Sequence, residues 1–290
     1  YTMTVPAIRT ADTHCHLDLA HFDEDRVAVV ERAAAAGVDL IVNPGIDIAH
    51  SEAAIALAEQ FPNVYAAVGI HPNSSNGFDD HTLQRLRELA AHPKVVAIGE
   101  IGLDYYWQDV DPAIQAGAFR AQLDLAAQLG LPVVIHSREA NDDIAATLRS
   151  WVKSSAFVRS PLARRPHAGV LHAFSGDPAM AQEAYTWGFV LSLGGPVTFK
   201  NARALHQTVT ELDPARLMLE TDAPYLTPHP HRGARNEPAN IPLILERLAE
   251  LLTWSPAALA QASSELALRF FGLEDTYCAR DTASHHTSAL

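Results

Sequence analysis

Eight short runs of apolar residues recur along the chain, and longer stretches with helical spacing separate them. The runs are rich in Val, Ile and Leu and contain few polar residues, which is typical of strands buried on both faces of a parallel sheet. The pattern predicts strands at 8–13, 38–43, 64–69, 95–99, 132–136, 169–173, 188–193 and 216–221. Strands that alternate with helices in this way indicate repeated βαβ units.

The segments between these strands carry apolar residues with the period of a helix. Gly37, Gly130 and Gly188 stand where a helix should end before the next strand, since glycine readily adopts the left-handed conformation that terminates helices. The predicted helices include residues 27–36, 51–60, 113–129, 142–151, 241–252 and 256–271.

Eight such units favour a closed (β/α)8 TIM barrel, a fold that commonly occupies roughly 250 residues as one domain. An open dinucleotide-binding sheet would carry a Gly-x-Gly-x-x-Gly turn after its first strand, and the sequence has no such turn there. We therefore predict an α/β protein with a single domain at 1–275. A polar tail follows at 276–290, and we expect it to be disordered.

Charge and cysteine content narrow the classes of protein. The 290 residues include 34 acidic and 21 basic side chains, and the net charge of −13 opposes diffuse binding to nucleic acid or to anionic membranes. A local cationic site would still allow a nucleic-acid substrate. The two cysteines, Cys15 and Cys278, are too few for a disulfide framework. We expect neither a signal peptide nor a membrane-spanning helix. We expect a cytoplasmic enzyme without a membrane partner, while the oligomeric state stays open.

Five of the eight predicted strands end on histidine or on an acidic residue. The C-terminal ends of barrel strands form the mouth at which TIM barrels place their chemistry. Histidine and carboxylate side chains gathered there are the ligand set of a divalent metal centre. The residues at these ends are His14, His16, Glu100, His136, His172 and Asp222.

The spacing of His14 and His16 supports this interpretation, because a strand period of two turns both side chains to one face and Cys15 to the other. A carboxylate such as Glu100 at the end of an apolar strand needs a metal or another cation if it is buried. Each of these residues alone is also compatible with a salt-bridged glutamate or a hydrogen-bonded histidine of the core.

The order of the strands divides the ligands into two groups. Strands eight and one bring His14, His16 and Asp222 together, and Glu100 completes this group. Strands five and six bring His136 and His172 to the other side of Glu100. The sequence thus predicts two divalent metal ions per chain with Glu100 as their bridge.

Three arginines are candidates for binding phosphate, which guanidinium contacts with two parallel hydrogen bonds. Arg138 follows a predicted ligand by two residues, and Arg232 and Arg235 lie in the long loop after strand eight, where barrels often bind phosphate. The alternative for each is a salt bridge to an acidic loop residue. Asp104 is a candidate for orienting a metal ligand.

Two further stretches carry side chains that suit nucleic acid. Tyr105, Tyr106 and Trp107 offer rings for base stacking, or else pack the loop over the mouth. The stretch 153–167 is rich in arginine, but it precedes strand six and so should lie at the end of the barrel opposite the metal site. We expect this stretch to be a solvated loop.

Several motifs of the chain resemble those of the TatD family of metal-dependent deoxyribonucleases. They lie at residues 10–18, 69–73, 99–105, 135–140, 171–176, 219–225 and 235–240, and the resemblance extends from about residue 8 to 272. It implies an amidohydrolase-like barrel with two divalent metals that hydrolyses phosphodiester bonds of DNA. It also implies the six ligands named above and a substrate contact for His71, whose alternative is to brace a loop. The stretch 153–167 and the tail depart from the family pattern.

The sequence therefore predicts a two-metal hydrolase that cleaves DNA, at ends or in single strands. Asp222 is the candidate general base, and Glu100 is the second catalytic candidate. A barrel hydrolase of a small ester, amide or phosphoester remains the alternative, because the same chemistry attacks all of these bonds. A third hypothesis is a metal-binding protein without catalysis. The identity of the metal and the choice between endonuclease and exonuclease stay open.

Overall fold

A computed structural model describes residues 9–277 of the chain. Eight parallel strands form one sheet in which each strand pairs with the next one along the sequence. The strands are β1 (Thr10–Asp12), β2 (Val38–Pro44), β3 (Val64–Val68), β4 (Val95–Asp104), β5 (Val133–Arg138), β6 (Gly169–Leu171), β7 (Phe189–Leu193) and β8 (Leu217–Leu219).

The sheet curls until β8 lies beside β1. The Thr13 amide donates a hydrogen bond to the Leu219 carbonyl at 2.9 Å, and Cys15 pairs with Ala223 in a parallel bridge. The structure thus confirms the predicted (β/α)8 barrel. Cys15 is fully buried in the apolar core, as its position between two inward histidines predicts.

Ten helices of the described residues connect the strands or follow the last one. They are α1 (Arg26–Ala35), α2 (Ile48–Gln60), α3 (Asp80–Leu89), α4 (Pro112–Leu129), α5 (Asn141–Trp151), α6 (Ser155–Val158), α7 (Pro178–Thr186), α8 (Arg203–Val209), α9 (Ile241–Leu252) and α10 (Pro256–Phe271). Gly37, Gly130 and Gly188 all have positive φ angles, which confirms the predicted helix ends. None of the helices in the described range 9–277 has the length and apolar character that crossing a membrane requires.

One end of the barrel is covered by α10. Leu40, Tyr65 and Val96 lie near the N-terminal ends of their strands and share a buried cluster with Leu266 and Phe270 of this helix. Because α10 fills that end, the C-terminal ends of the strands form the accessible mouth.

The stretch 153–167 lies at the end covered by α10, as predicted. Its Arg165 side chain donates to the Phe270 carbonyl at 2.7 Å. The expectation of a solvated loop is wrong in part, because the stretch contains α6 and buries Phe157 and Leu162. Residues 278–290 of the predicted tail, which include Cys278, lie outside the described range.

Strand β4 is longer than its predicted range of 95–99. It continues to Asp104 and is buried along its whole length, with a shift of register against β5 between Ile98 and Ile101. A Cβ on Gly102 would lie 2.0 Å from the His136 carbonyl oxygen, so glycine alone allows β4 to approach β5 this closely. The extension carries both Glu100 and Asp104 into the mouth.

Candidate metal centre

The structure brings all six predicted ligands together at the mouth of the barrel. Each is supplied by the C-terminal part of a strand or by the residues directly after it, and four of them are buried. The four buried side chains are those of His14, His16, Glu100 and His172.

The first cluster consists of His14, His16 and Asp222 around one oxygen of Glu100. The Nε2 atoms of the two histidines are 3.2 Å apart. They lie 3.3 and 3.6 Å from Glu100 Oε2 and 3.9 and 3.7 Å from Asp222 Oδ1. Four potential ligand atoms therefore face one small space.

The second cluster surrounds the other oxygen of the same carboxylate. Glu100 Oε1 lies 2.7 Å from His136 Nδ1, 2.9 Å from His172 Nε2 and 3.6 Å from His71 Nε2. Glu100 thus gives one oxygen to each cluster, which is the arrangement that a bridging carboxylate needs.

The buried carboxylates of the two clusters favour positive charge around them. Burial alone would raise the pKa of Glu100, but the surrounding histidines hold it well below its usual range. Burial likewise opposes protonation of His172, yet the charges of Glu100 and Glu220 raise the pKa of this imidazole well above its usual value. Divalent cations supply the same positive charge in place of protons, so the residues present fit a metal.

Asp104 fixes the orientation of the His136 ring. Its Oδ2 atom lies 3.2 Å from His136 Nε2 and accepts a hydrogen bond from Asn73 Nδ2 at 3.1 Å. Hydrogen bonds from His136 and from loop amides outweigh burial and lower the pKa of Asp104 to about 2, so the carboxylate is ionised and acts as an acceptor. Asp104 therefore favours a proton on His136 Nε2, and Nδ1 is the atom that would face a cation when one is bound.

His71 turns the other ring nitrogen toward Glu100, with Nε2 rather than Nδ1 facing the carboxylate. The Asn73 backbone amide, which can only donate, lies 3.1 Å from His71 Nδ1. The neutral ring of His71 therefore carries its proton on Nε2, the atom that faces Glu100. Although His71, Glu100 and His136 are close enough together to hold an ion, this tautomer makes His71 a hydrogen-bond donor.

One buried residue of the site was missed at the level of sequence. Glu220 Oε1 lies 3.6 Å from His172 Nδ1 and accepts a hydrogen bond from the Ala173 amide at 2.7 Å. Its carboxylate favours a proton on Nδ1, so that His172 Nε2 is the atom that would face a cation when one is bound. The signal was present in the sequence, because Glu220 precedes Asp222 by two residues, as His14 precedes His16.

Asp222 follows β8 in a left-handed backbone conformation with a φ of 54°. Its amide donates to the His14 carbonyl at 2.9 Å, which holds the residue beside the first cluster. Burial raises the pKa of Asp222 to about 6. The side chain is 17% exposed, more than that of His14, His16 or Glu100, so it borders the open mouth.

The three candidate arginines differ in their partners. Arg235 donates to both carboxylate oxygens of Asp25, at 2.7 and 2.8 Å, and to the His21 carbonyl at 2.7 Å. It therefore anchors the loop after β8, as the salt-bridge alternative predicts, and we no longer expect it to bind substrate. Arg138 and Arg232 have no carboxylate partner within residues 9–277, and each guanidinium lies over an aromatic ring.

A family model and several known proteins match this chain along most of its length. The family model described as TatD related DNase matches residues 11–272. The uncharacterized metal-dependent hydrolase YabD of Bacillus subtilis is 40% identical over 260 residues, which cover 90% of this chain and 98% of that protein. A Cronobacter turicensis protein named 3'-5' ssDNA/RNA exonuclease TatD is 38% identical over 266 residues, covering 90% of this chain and 97% of its own. The crystal structure of the TatD homologue YjjV from Escherichia coli superimposes with a TM-score of 0.83 at 33% identity, covering 91% of this chain and 98% of that one.

Proposed function

The chain belongs to the family of TatD-related DNases, which makes it a metal-dependent hydrolase of ester bonds, and we propose that it cleaves the phosphodiester bonds of DNA with two divalent ions. One observation carries the proposal. The two oxygens of Glu100 belong to two separate histidine clusters, with Oε2 near His14 and Oε1 near His172.

The two clusters would hold the ions through His14, His16 and Asp222 on one side and through His136 and His172 on the other. Divalent ions bound there would polarise the phosphoryl group and make water a better nucleophile. The protein residues would supply the binding, the orientation and the proton transfer.

Asp222 is the proposed general base. Its carboxylate borders the open mouth beside the first cluster, within reach of a water bound there, which is the geometry that a general base needs. His71 Nε2–H would donate a hydrogen bond to a phosphoryl oxygen, since its tautomer leaves it a donor. Arg138 and Arg232 would bind the other phosphate oxygens with donors that no carboxylate occupies.

We propose that the preferred substrates are ends or single strands of DNA. A chain with a net charge of −13 gains little from diffuse attraction to duplex DNA, so binding should depend on a few contacts close to the clusters. The name of the Cronobacter relative, an exonuclease of single-stranded DNA and RNA, agrees with such a substrate.

The test compares three substrates with the same preparation of protein. The metal-loaded chain and its Asp222→Asn variant are incubated with a labelled single-stranded oligonucleotide, closed circular DNA and a small nitrophenyl ester, with and without chelator. We expect cleavage of the oligonucleotide that chelator abolishes, with little cleavage of the closed circle. Hydrolysis of the small ester without cleavage of any DNA would instead identify a small-molecule hydrolase.

A further inference from the structure

We propose that Tyr106, Trp107 and Arg138 form a subsite that binds one unpaired nucleobase of the substrate next to the second cluster. This subsite, called the base platform below, rests on the proposed nuclease function. It gives that function a specificity element in the loop after β4.

The platform presents two aromatic rings at the mouth of the barrel. Tyr106 is 47% exposed and Trp107 is 50% exposed, and the two rings meet edge to face with centroids 4.9 Å apart. Aromatic side chains carry much apolar surface, so neighbouring exposed rings at the rim of a site indicate a binding surface.

Arg138 adds a positive charge to the aromatic surface. Its guanidinium lies 3.9 Å above the Tyr106 ring and 5.8 Å from that of Trp107. Stacking on a ring uses the face of the guanidinium and leaves its N–H groups in plane, where they can reach a phosphate. No carboxylate of residues 9–277 pairs with Arg138, so a nucleotide would meet both a ring for its base and a cation for its phosphate.

Asp104 fixes the platform relative to the second cluster. Its Oδ1 accepts hydrogen bonds from the backbone amides of Tyr106 and Trp107 at 3.0 and 3.2 Å. Its other oxygen lies 3.2 Å from His136 Nε2. A single carboxylate thus holds both the aromatic loop and a metal ligand, which places the platform directly beside the second cluster.

Tyr105 does not belong to the platform, although the sequence offered it as a third stacking residue. Its hydroxyl donates to Asp143 at 2.7 Å, and its side chain packs against the core. The residue braces the loop from behind and leaves the two following rings exposed.

An unpaired nucleobase fits this surface better than other occupants. Every base has a flat face that stacks on an aromatic ring, so such a surface binds bases of any sequence. A base inside a duplex is already stacked on its neighbours and cannot reach the rings without leaving the helix. The platform would therefore favour single strands and frayed ends.

The test measures binding in chelator, where no cleavage occurs. Fluorescently labelled oligo(dT) is compared, by anisotropy, with an oligomer of the same length that carries abasic residues and the same charge. Trp107→Ala should weaken binding of oligo(dT) by about 5- to 100-fold, the usual effect of losing one stacking ring, and change binding of the abasic oligomer by less than about twofold. Tyr106→Phe should restore most of what Tyr106→Ala loses, since the ring remains.

Trp254→Ala is the matched control, because Trp254 is 39% exposed but lies between α9 and α10. Equal losses on both oligomers, or no loss on oligo(dT), would overturn the base platform. Cleavage of the labelled oligonucleotide by the metal-loaded parent is measured separately. A parent that binds oligo(dT) through Trp107 but never cleaves it would refute the nuclease function and leave the platform standing.

Discussion

Replacing Asp104 by asparagine should weaken one metal site and spare the other. The carboxylate accepts from His136 and from Asn73 through Oδ2, and from two loop amides through Oδ1. An asparagine has one acceptor oxygen, so one pair of donors must lose its partner. If the oxygen stays with the loop amides, the new NH2 group faces the His136 Nε2–H, and the ring loses the contact that leaves Nδ1 free for a cation.

The magnitude follows from the role of the lost contact. Removing the hydrogen-bond partner of a ligating histidine typically costs about 10- to 100-fold in metal affinity, or about 1.4–2.8 kcal/mol. We expect this loss at the site of His136 and His172 only. His14 and His16 do not contact Asp104, so the metal affinity of the first cluster should equal that of the parent.

Competitive titration with a chelating dye resolves the two binding steps. Asp109→Asn is the matched control, because it removes the same charge from the same loop. The Asp109 side chain is exposed and makes no hydrogen bond or ion pair with the described residues. Asn73→Ala should have a smaller effect, since the acceptor remains. Unchanged affinity in Asp104→Asn, or an equal loss at both sites, would refute the orienting role.

Three further predictions follow from the proposed mechanism. Asp222→Asn should retain most of the bound metal but lose about 10²- to 10⁴-fold in turnover on single-stranded DNA, as removal of a general base does; a parental rate would exclude Asp222 as the base. Arg138→Ala and Arg232→Ala should each slow cleavage, whereas Arg164→Ala, at the opposite end of the barrel, should not. If only Arg164→Ala slows cleavage, the DNA-binding surface is the 153–167 stretch instead. Binding of DNA should depend weakly on salt, because few phosphates are contacted. A plot of log binding constant against log salt concentration should have a slope of magnitude about two or three. A steep slope would contradict a local site.

Local pattern was sufficient to predict the elements that bury their side chains. The apolar runs located all eight strands, and left-handed glycines such as Gly130 mark the helix ends in the structure. The period of two placed His14 and His16 on one face, and their Nε2 atoms meet at 3.2 Å. These features depend on neighbours in sequence, which is why a single chain reveals them.

What the sequence could not show depends on contacts between distant segments. Arg235 pairs with Asp25, which lies 210 positions earlier, so its partner could not be found by local inspection. The tautomer of His136 depends on Asp104, which lies 32 positions earlier on a different strand. Glu220 is the exception, because the same period of two would have identified it.

The number of divalent ions per chain in Glu100→Ala tests the central claim most directly. The parent and the variant are dialysed against the same metal and analysed for metal content, with circular dichroism as a check on folding. We expect two ions in the parent and losses at both sites in the variant, since each oxygen of Glu100 belongs to one cluster. A folded Glu100→Ala that still holds two ions per chain would contradict the bridging carboxylate.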